Sequence, residues 1–170
     1  RKFTNIKKLI IFSRDELKQF EMDNYYKLNK NYRKLRFFLG DVRDKERLEV
    51  ALKDVDIVIH AAALKHVPSS EYNPFETIKT NVLGTQNVVE TCISNNVEKL
   101  ISLSTDKASS PVNLYGASKL LADKIAVGGD YIKGKSKLIS AVVRYGNVSG
   151  STGSIIPYFS EKISKIDNIQ

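Results

Sequence analysis

Residues 104–119 read STDKASSPVNLYGASK, which sets a Thr, an Asp and a Lys side by side ahead of a Tyr and a Lys four positions apart. On a helix, Tyr115 and Lys119 share one face. A phenol near pKa 10 is a poor base at neutral pH. A cation about 4 Å away, at an effective dielectric near 20, offers roughly 4 kcal/mol, enough to bring the phenol toward ~7. There it would serve acid–base catalysis well. Asp106 and Lys107 supply an acid and a base next to each other, and Thr105 can bond a substrate hydroxyl. A YxxxK pair on a surface helix means little by itself. Joined to the Thr-Asp-Lys run, it points to proton transfer on a hydroxyl-bearing substrate.

These side chains need elements to hold them. Short apolar runs predict strands at 8–13, 35–41, 55–63 and 99–104, with a fifth inside 137–148. Helical spacing falls at 15–28 (Leu17, Phe20, Met22), 43–54 (Leu48, Ala51, Leu52, capped by Asp44), 73–97 and 113–127. A weak helix follows a glycine-serine loop at the end. Strand–helix alternation implies parallel strands with crossover helices, and strands apolar on both faces imply cover on both sides. The expected fold class is α/β, a doubly wound parallel sheet of Rossmann type, as a single domain over residues 1–170. Ligands of such sheets sit beyond the carboxyl ends of the strands, where STDK falls.

The other strand ends suggest a dinucleotide. After the first strand, SRDELK offers Ser13, Arg14 and Lys18. An Arg there can clasp a 2′-phosphate with two hydrogen bonds, so the expected cofactor is NADP rather than NAD. Asp41 and Val42 end the next strand, where they would border an adenine. Ala61, Ala62 and Ala63 let a cofactor approach the backbone, and Lys65 can reach a phosphate or sugar. Lys79 and Thr80 lie at the cofactor edge, with Asn81 as a brace. His60 reads as core and His66 as structural, and no metal site is expected. The sequence contains no G-x-G-x-x-G, and its first readable strand looks like the second of such a fold. The first strand and the Gly-rich loop are therefore expected to be missing, as in a fragment of a longer chain.

Composition narrows the classes further. The 170 residues carry 27 basic and 19 acidic side chains, a net charge of +8. That excess attracts anions, but no nucleic-acid motif accompanies it, so neither a nucleic-acid nor a membrane partner is expected. The single cysteine, Cys92, excludes an internal disulfide and suits a reducing, cytoplasmic setting. No apolar run approaches the roughly 20 residues of a membrane helix.

Taken together, FSRDELKQFEM, GDVRD, IHAAALKHVP, EYNPFETIKTNVLGTQNV, LSTDKA, NLYGASKL and VVRYGNVSGSTGSIIPYF resemble the extended short-chain dehydrogenase/reductase family. They are most similar to the inverting UDP-N-acetylglucosamine 4,6-dehydratases that open pseudaminic-acid and capsule-sugar synthesis. The resemblance implies that Tyr115 takes the proton of the carbon-4 hydroxyl while NADP takes the hydride. Lys119 would lower the Tyr115 pKa and hold the nicotinamide ribose. Lys107 would remove the carbon-5 proton and Asp106 would protonate the departing carbon-6 hydroxyl. It also implies that Thr105 orients the sugar, that Lys65 and Asn147 touch the UDP-sugar, and that Val148 begins a segment along the nicotinamide. A homo-oligomer is expected. A nucleotide-sugar 4-epimerase or reductase of the same superfamily is the alternative, and a non-catalytic nucleotide-binding module is the alternative from another class. The stretch 23–34 is expected to form an extended surface loop.

Overall fold

A computed structural model describes residues 5–149, 159–160 and 162–163. Of the expected terminal helix, residues 159–160 and 162–163 are described and are helical, while positions 150–152 of the glycine-serine loop fall outside the described residues.

Five strands form where the apolar runs are: β1 (Leu9–Ser13), β2 (Leu35–Leu39), β3 (Ile57–His60), β4 (Lys99–Thr105) and β5 (Ile139–Tyr145). All pairings are parallel. The described strands form two sheets, β1-β2 and β3-β4-β5. In a doubly wound sheet of order 3-2-1-4-5-6, the first strand separates the second from the fourth. β1 and β3 occupy those two places, and the sheet is interrupted between them.

Three of the helices start on a side chain that accepts an otherwise unpartnered backbone N–H. Asp15 caps α1 (Glu16–Tyr26), Asp44 caps α2 (Lys45–Ala51) and Asn113 caps α6 (Leu114–Ile132). The expected helix 73–97 is instead three pieces: α4 (Pro74–Ile78), a π-helical turn (Lys79–Leu83) and α5 (Gly84–Ser94). A further short helix, α3 (Val67–Tyr72), precedes them. The stretch 23–34 expected as a surface loop is only partly one: residues 23–26 finish helix α1, and a turn with a 3₁₀ segment (Tyr32–Lys34) takes up the rest.

The core gathers Val88, Val89, Cys92, Val97, Leu100 and Leu138 against Val42, Leu48 and Leu52. Each fully buried Leu or Val there contributes roughly 1.5–3 kcal/mol. Cys92 lies inside this cluster, and burial pushes its thiol up to about 12. Helix α1 departs from its apolar pattern. Leu17 and Phe20 are exposed, and Gln19 is buried because its amide donates to the carbonyls of both Ser13 and Phe38 at 3.0 Å. Helices α5 and α6 pack on the three-stranded sheet, yet Ile57, Ile59, Ile139 and Val143 at alternate positions stay exposed. The expected cover on both faces is therefore not seen among the described residues.

Candidate active site

The carboxyl end of β4 turns directly into a 3₁₀ segment, Asp106–Ala108. Thr105 closes that turn by accepting from the Lys107 N–H at 3.4 Å and donating its hydroxyl proton to Asp106 Oδ1 at 2.9 Å. The Lys107 ammonium donates to Asp106 Oδ1 at 3.1 Å and to Asn147 Oδ1, beyond β5, at 3.2 Å. Lys107 first, and then Thr105, hold the Asp106 carboxyl below its ordinary range.

Helix α6 brings Tyr115 and Lys119 onto this turn. A Cβ at position 116 would lie 2.6 Å from the Lys107 carbonyl, so only glycine admits the helix this close. Asn113 caps the helix from within. Glu71 of α3 accepts the Leu114 N–H at 2.7 Å from 43 residues away. Asn81, in the π turn, is the brace expected of it. It bonds both backbone groups of Leu64 and donates to Ser118 Oγ, each at 2.8–2.9 Å. The Asn81 carbonyl accepts from Thr85, whose hydroxyl meets His60 Nε2 at 3.0 Å. Because the Thr85 proton is committed to Asn81, His60 is the donor in that contact.

One expectation fails here. Lys119 does not acidify Tyr115. The phenol is raised instead, chiefly by burial, with a hydrogen bond to Thr105 acting the other way and Tyr145 and Asp106 raising it further. Lys119 is only 4% exposed, and its ammonium donates to the Leu103 carbonyl at 2.7 Å. Burial lowers its pKa, and the Asp123 carboxylate opposes that shift. Spacing i,i+4 put the two side chains on one face, but the lysine reaches down to the strand end instead of across to the phenol.

A cavity of about 500 Å³ opens at the carboxyl ends of β1, β2 and β3. Arg14, Arg43, Ala63, Lys65 and Thr80 are among its lining residues. Arg14 lies 3.5 Å from Asp41, and Arg43 bridges Asp41 and Glu76 at 2.8 Å each. The Arg43 hydrogen bond holds the Asp41 carboxyl below its usual range. Lys79 completes the chain on Glu76 at 2.9 Å. Ser13 is occupied as acceptor of the Asp15 N–H at 3.1 Å.

Of the cofactor residues singled out in the sequence, Arg14, Ala63, Lys65 and Thr80 line this cavity, whereas Ser13, Lys18, Asp41, Val42, Ala61, Ala62, Lys79, Tyr115, Lys119 and Val148 are not in its lining. Lys18 is 80% exposed and paired with Asp15, Val42 packs in the core, and Val148 is exposed beyond Asn147. Ala61 and Ala62 are exposed at the end of β3. Arg43 and Glu76 were missed. Arg43 was visible only as the next charge after GDV. No cluster of His, Cys, Asp and Glu among the described residues could hold a metal.

The fit of a dinucleotide rests on unanswered polar atoms. Thr80 and Ser70 line this cavity, and their buried hydroxyls have no hydrogen-bond partner among the described residues. Native interiors rarely leave such groups unpaired. A ligand carrying hydroxyls and phosphates would satisfy them and the two guanidiniums together.

The family profile of polysaccharide biosynthesis proteins matches residues 2–170. The chain belongs to this family. It is 58% identical over 158 residues to a UDP-N-acetylglucosamine 4,6-dehydratase (inverting) of Campylobacter jejuni, covering 93% of this chain and 46% of that protein. The chain thus spans about half the length of this curated relative. Among solved structures it resembles Pen from Bacillus thuringiensis, with TM-score 0.88 and 41% identity over 93% of this chain and 48% of the other. It also resembles DesIV, a dTDP-glucose 4,6-dehydratase from Streptomyces venezuelae solved with NAD and TYD bound. There the TM-score is 0.76 and the identity 25%, over 95% and 54% of the two chains. The Rossmann-like α/β class expected from the sequence is the class of these structures. No helix among the described residues is long and apolar enough to cross a membrane.

Proposed function

We propose that residues 1–170 form the cofactor-binding and catalytic part of an inverting UDP-N-acetylglucosamine 4,6-dehydratase that works with bound NADP. The observation that carries this is the turn after β4. Thr105, Asp106 and Lys107 are bonded to one another and to Asn147, and the phenol of helix α6 lies close enough for Thr105 and Asp106 to bear on its pKa. NADP rather than NAD is supported by Arg14 and Arg43, two guanidiniums sharing one carboxylate at the cavity where a 2′-phosphate would lie. When bound, the nicotinamide would accept a hydride from sugar carbon 4 and return it at carbon 6.

The chain's own residues would manage the protons. With its own proton first released to solvent, Tyr115 would take the proton of the carbon-4 hydroxyl. Its contact with Thr105 stabilises the phenolate only if the Thr105 proton leaves Asp106, because the hydroxyl has one proton to give. Lys107 takes the proton of carbon 5, and Asp106 gives one to the departing hydroxyl. At rest this pair is an ammonium and a carboxylate, the reverse of what those roles need. A sugar lying over both would dry them and favour their neutral forms, which moves the proton from Lys107 to Asp106 along an existing 3.1 Å hydrogen bond. Lys119 then places the cofactor ribose, with Lys65 and Asn147 against the UDP-sugar. Synthesis of pseudaminic-acid-type sugars, a homo-oligomeric state and a cytoplasmic setting belong to the same reading, the last supported by the free, buried Cys92.

The test is incubation of the protein with UDP-N-acetylglucosamine in deuterated water. Loss of one water, deuterium gained at carbon 5 and no net NADPH are expected. A 4-epimerase would instead return an unlabelled isomer and would not need Lys107. Lys107→Ala should therefore abolish elimination while carbon-4 oxidation persists. Failure to bind NADP at equilibrium would favour the non-catalytic module.

A further inference from the structure

We propose that the end of the domain opposite the site is a docking face for an anionic lipid bilayer. All five strands run parallel within their sheets, and the carboxyl ends of β1, β2 and β3 meet at one cavity. Their amino ends, and the connections that lead into them, therefore share the far end. Those connections are residues 5–8, 27–34, 52–56, 95–98 and 133–138. They hold ten basic residues, Lys7, Lys8, Lys27, Lys30, Arg33, Lys34, Lys53, Lys133, Lys135 and Lys137, against three acids, Asp54, Asp56 and Glu98. Lys133 is tied to Asp130 and the Leu138 carbonyl. None of the other nine takes part in an ion pair among the described residues.

Cations at helix C-termini partly answer the helix dipole. That explains one or two per helix, not this excess, and it does not explain the apolar groups beside them. Tyr25 is 81% exposed, Leu28 99% and Tyr131 87%, with Ile132 also exposed, all at the C-terminal ends of α1 and α6. Tyr mixed with Lys, and apolar side chains offered to solvent, is the pattern of a surface that sits at the headgroup level of a membrane. Nucleic acid is the weaker fit. Eight of the nine unpaired cations are Lys, whereas phosphate and base recognition favours the Arg fork, and the fully exposed Leu28 is apolar surface that a nucleic acid would leave uncovered. Attraction to acidic lipid draws on Lys and Arg charge alike and weakens within a Debye length, and exposed apolar groups beside the charges add to it.

The purified protein is sedimented with vesicles of phosphatidylcholine and with vesicles holding about 30 mol% phosphatidylglycerol, at about 0.05 and 0.3 M NaCl. Binding at least about tenfold stronger to the acidic vesicles, and lost at the higher salt, is expected. Lys27→Glu/Lys30→Glu/Lys135→Glu/Lys137→Glu should abolish it. Leu28→Ser/Tyr131→Ser, which keeps every charge, should weaken it severalfold. Unchanged far-UV circular dichroism and thermal midpoints show that both variants fold. Equal binding to neutral vesicles, no binding to either, either variant binding like the parent, or displacement from vesicles by a DNA duplex would overturn the proposal.

Discussion

The two ends of the parallel strands carry their charge in opposite ways. At the carboxyl end, the connections hold four basic residues (Arg14, Arg43, Lys65, Lys107) and four acidic ones (Asp15, Asp41, Asp44, Asp106). Most are engaged there: Arg14 and Arg43 on Asp41, Lys107 on Asp106, and Asp15 and Asp44 on helix amides. At the amino end the balance is ten to three, and little is paired. Nearly all of the chain's +8 therefore resides away from the site. Net charge, read from composition, gave no hint of this, because composition has no direction and a parallel sheet does. At the site end, each group's state depends on its neighbours, so single changes there should be felt. At the far end they should leave folding and the site alone.

The sharpest way to break that contrast is at Tyr115. Its phenol lies where Thr105, Tyr145 and Asp106 all bear on its pKa. Tyr115→Phe should lower turnover by about 10²–10⁴-fold, the usual contribution of a positioned acid–base group. Cofactor affinity and the thermal midpoint should hardly move. Steady-state kinetics beside a cofactor titration checks this. A variant that keeps more than a tenth of the activity would mean that the phenol does not carry the proton.

Much of this site end is legible in the sequence. The strand positions, the cap at Asp44, and the grouping of Thr105, Asp106 and Lys107 with the Tyr115 helix all follow from local rules about period, turns and spacing. Legibility ended where a side chain's partner is a distant backbone group. No spacing rule predicts that Lys119 bonds the Leu103 carbonyl, that Gln19 is buried between two carbonyls, or that Glu71 caps a helix 43 residues away. The π turn at Lys79–Leu83 escaped for a related reason. It carries the helical period closely enough to read as continuous helix, yet it is what sets Asn81 against Leu64 and Ser118.

A smaller effect tests the buried side of the contrast. His60 lies in the interior with its ring bonded to Thr85. Burial, and secondarily the Lys119 charge, lowers its pKa from 6.5 to about 4. The folded pKa is the depressed one, so the unfolded chain binds the proton more readily. The stabilisation is complete above pH 6.5 and is lost as the pH falls through 4. At about 1.4 kcal/mol per pH unit, the gap amounts to about 3 kcal/mol. His60→Asn removes the titration. Urea midpoints taken from pH 7 down to 4 should fall more steeply for the parent than for the variant. Parallel curves would show that the imidazole is not held neutral in the interior.

The smallest effect separates binding from stability on the exposed side of the cavity. Arg14 is more than half exposed and 3.5 Å from Asp41. Exposed pairs at that distance contribute roughly 0–1 kcal/mol, because water screens them and long side chains lose freedom in forming them. Arg14→Ala should therefore leave the denaturant midpoint within error. A hydrogen bond to a doubly charged phosphate is different, worth about 1.5–3 kcal/mol, and NAD has no phosphate to receive it. The ratio of NADP to NAD affinity should fall at least about tenfold, through NADP alone. Removing Arg43 as well should take most of the remaining preference, since both guanidiniums share Asp41. Lys135→Ala, at the far end, is the matched control and should change neither cofactor. If the Arg14 variant loses NAD and NADP affinity equally, the guanidinium shapes the cavity rather than reading the phosphate, and the cofactor assignment turns to NAD.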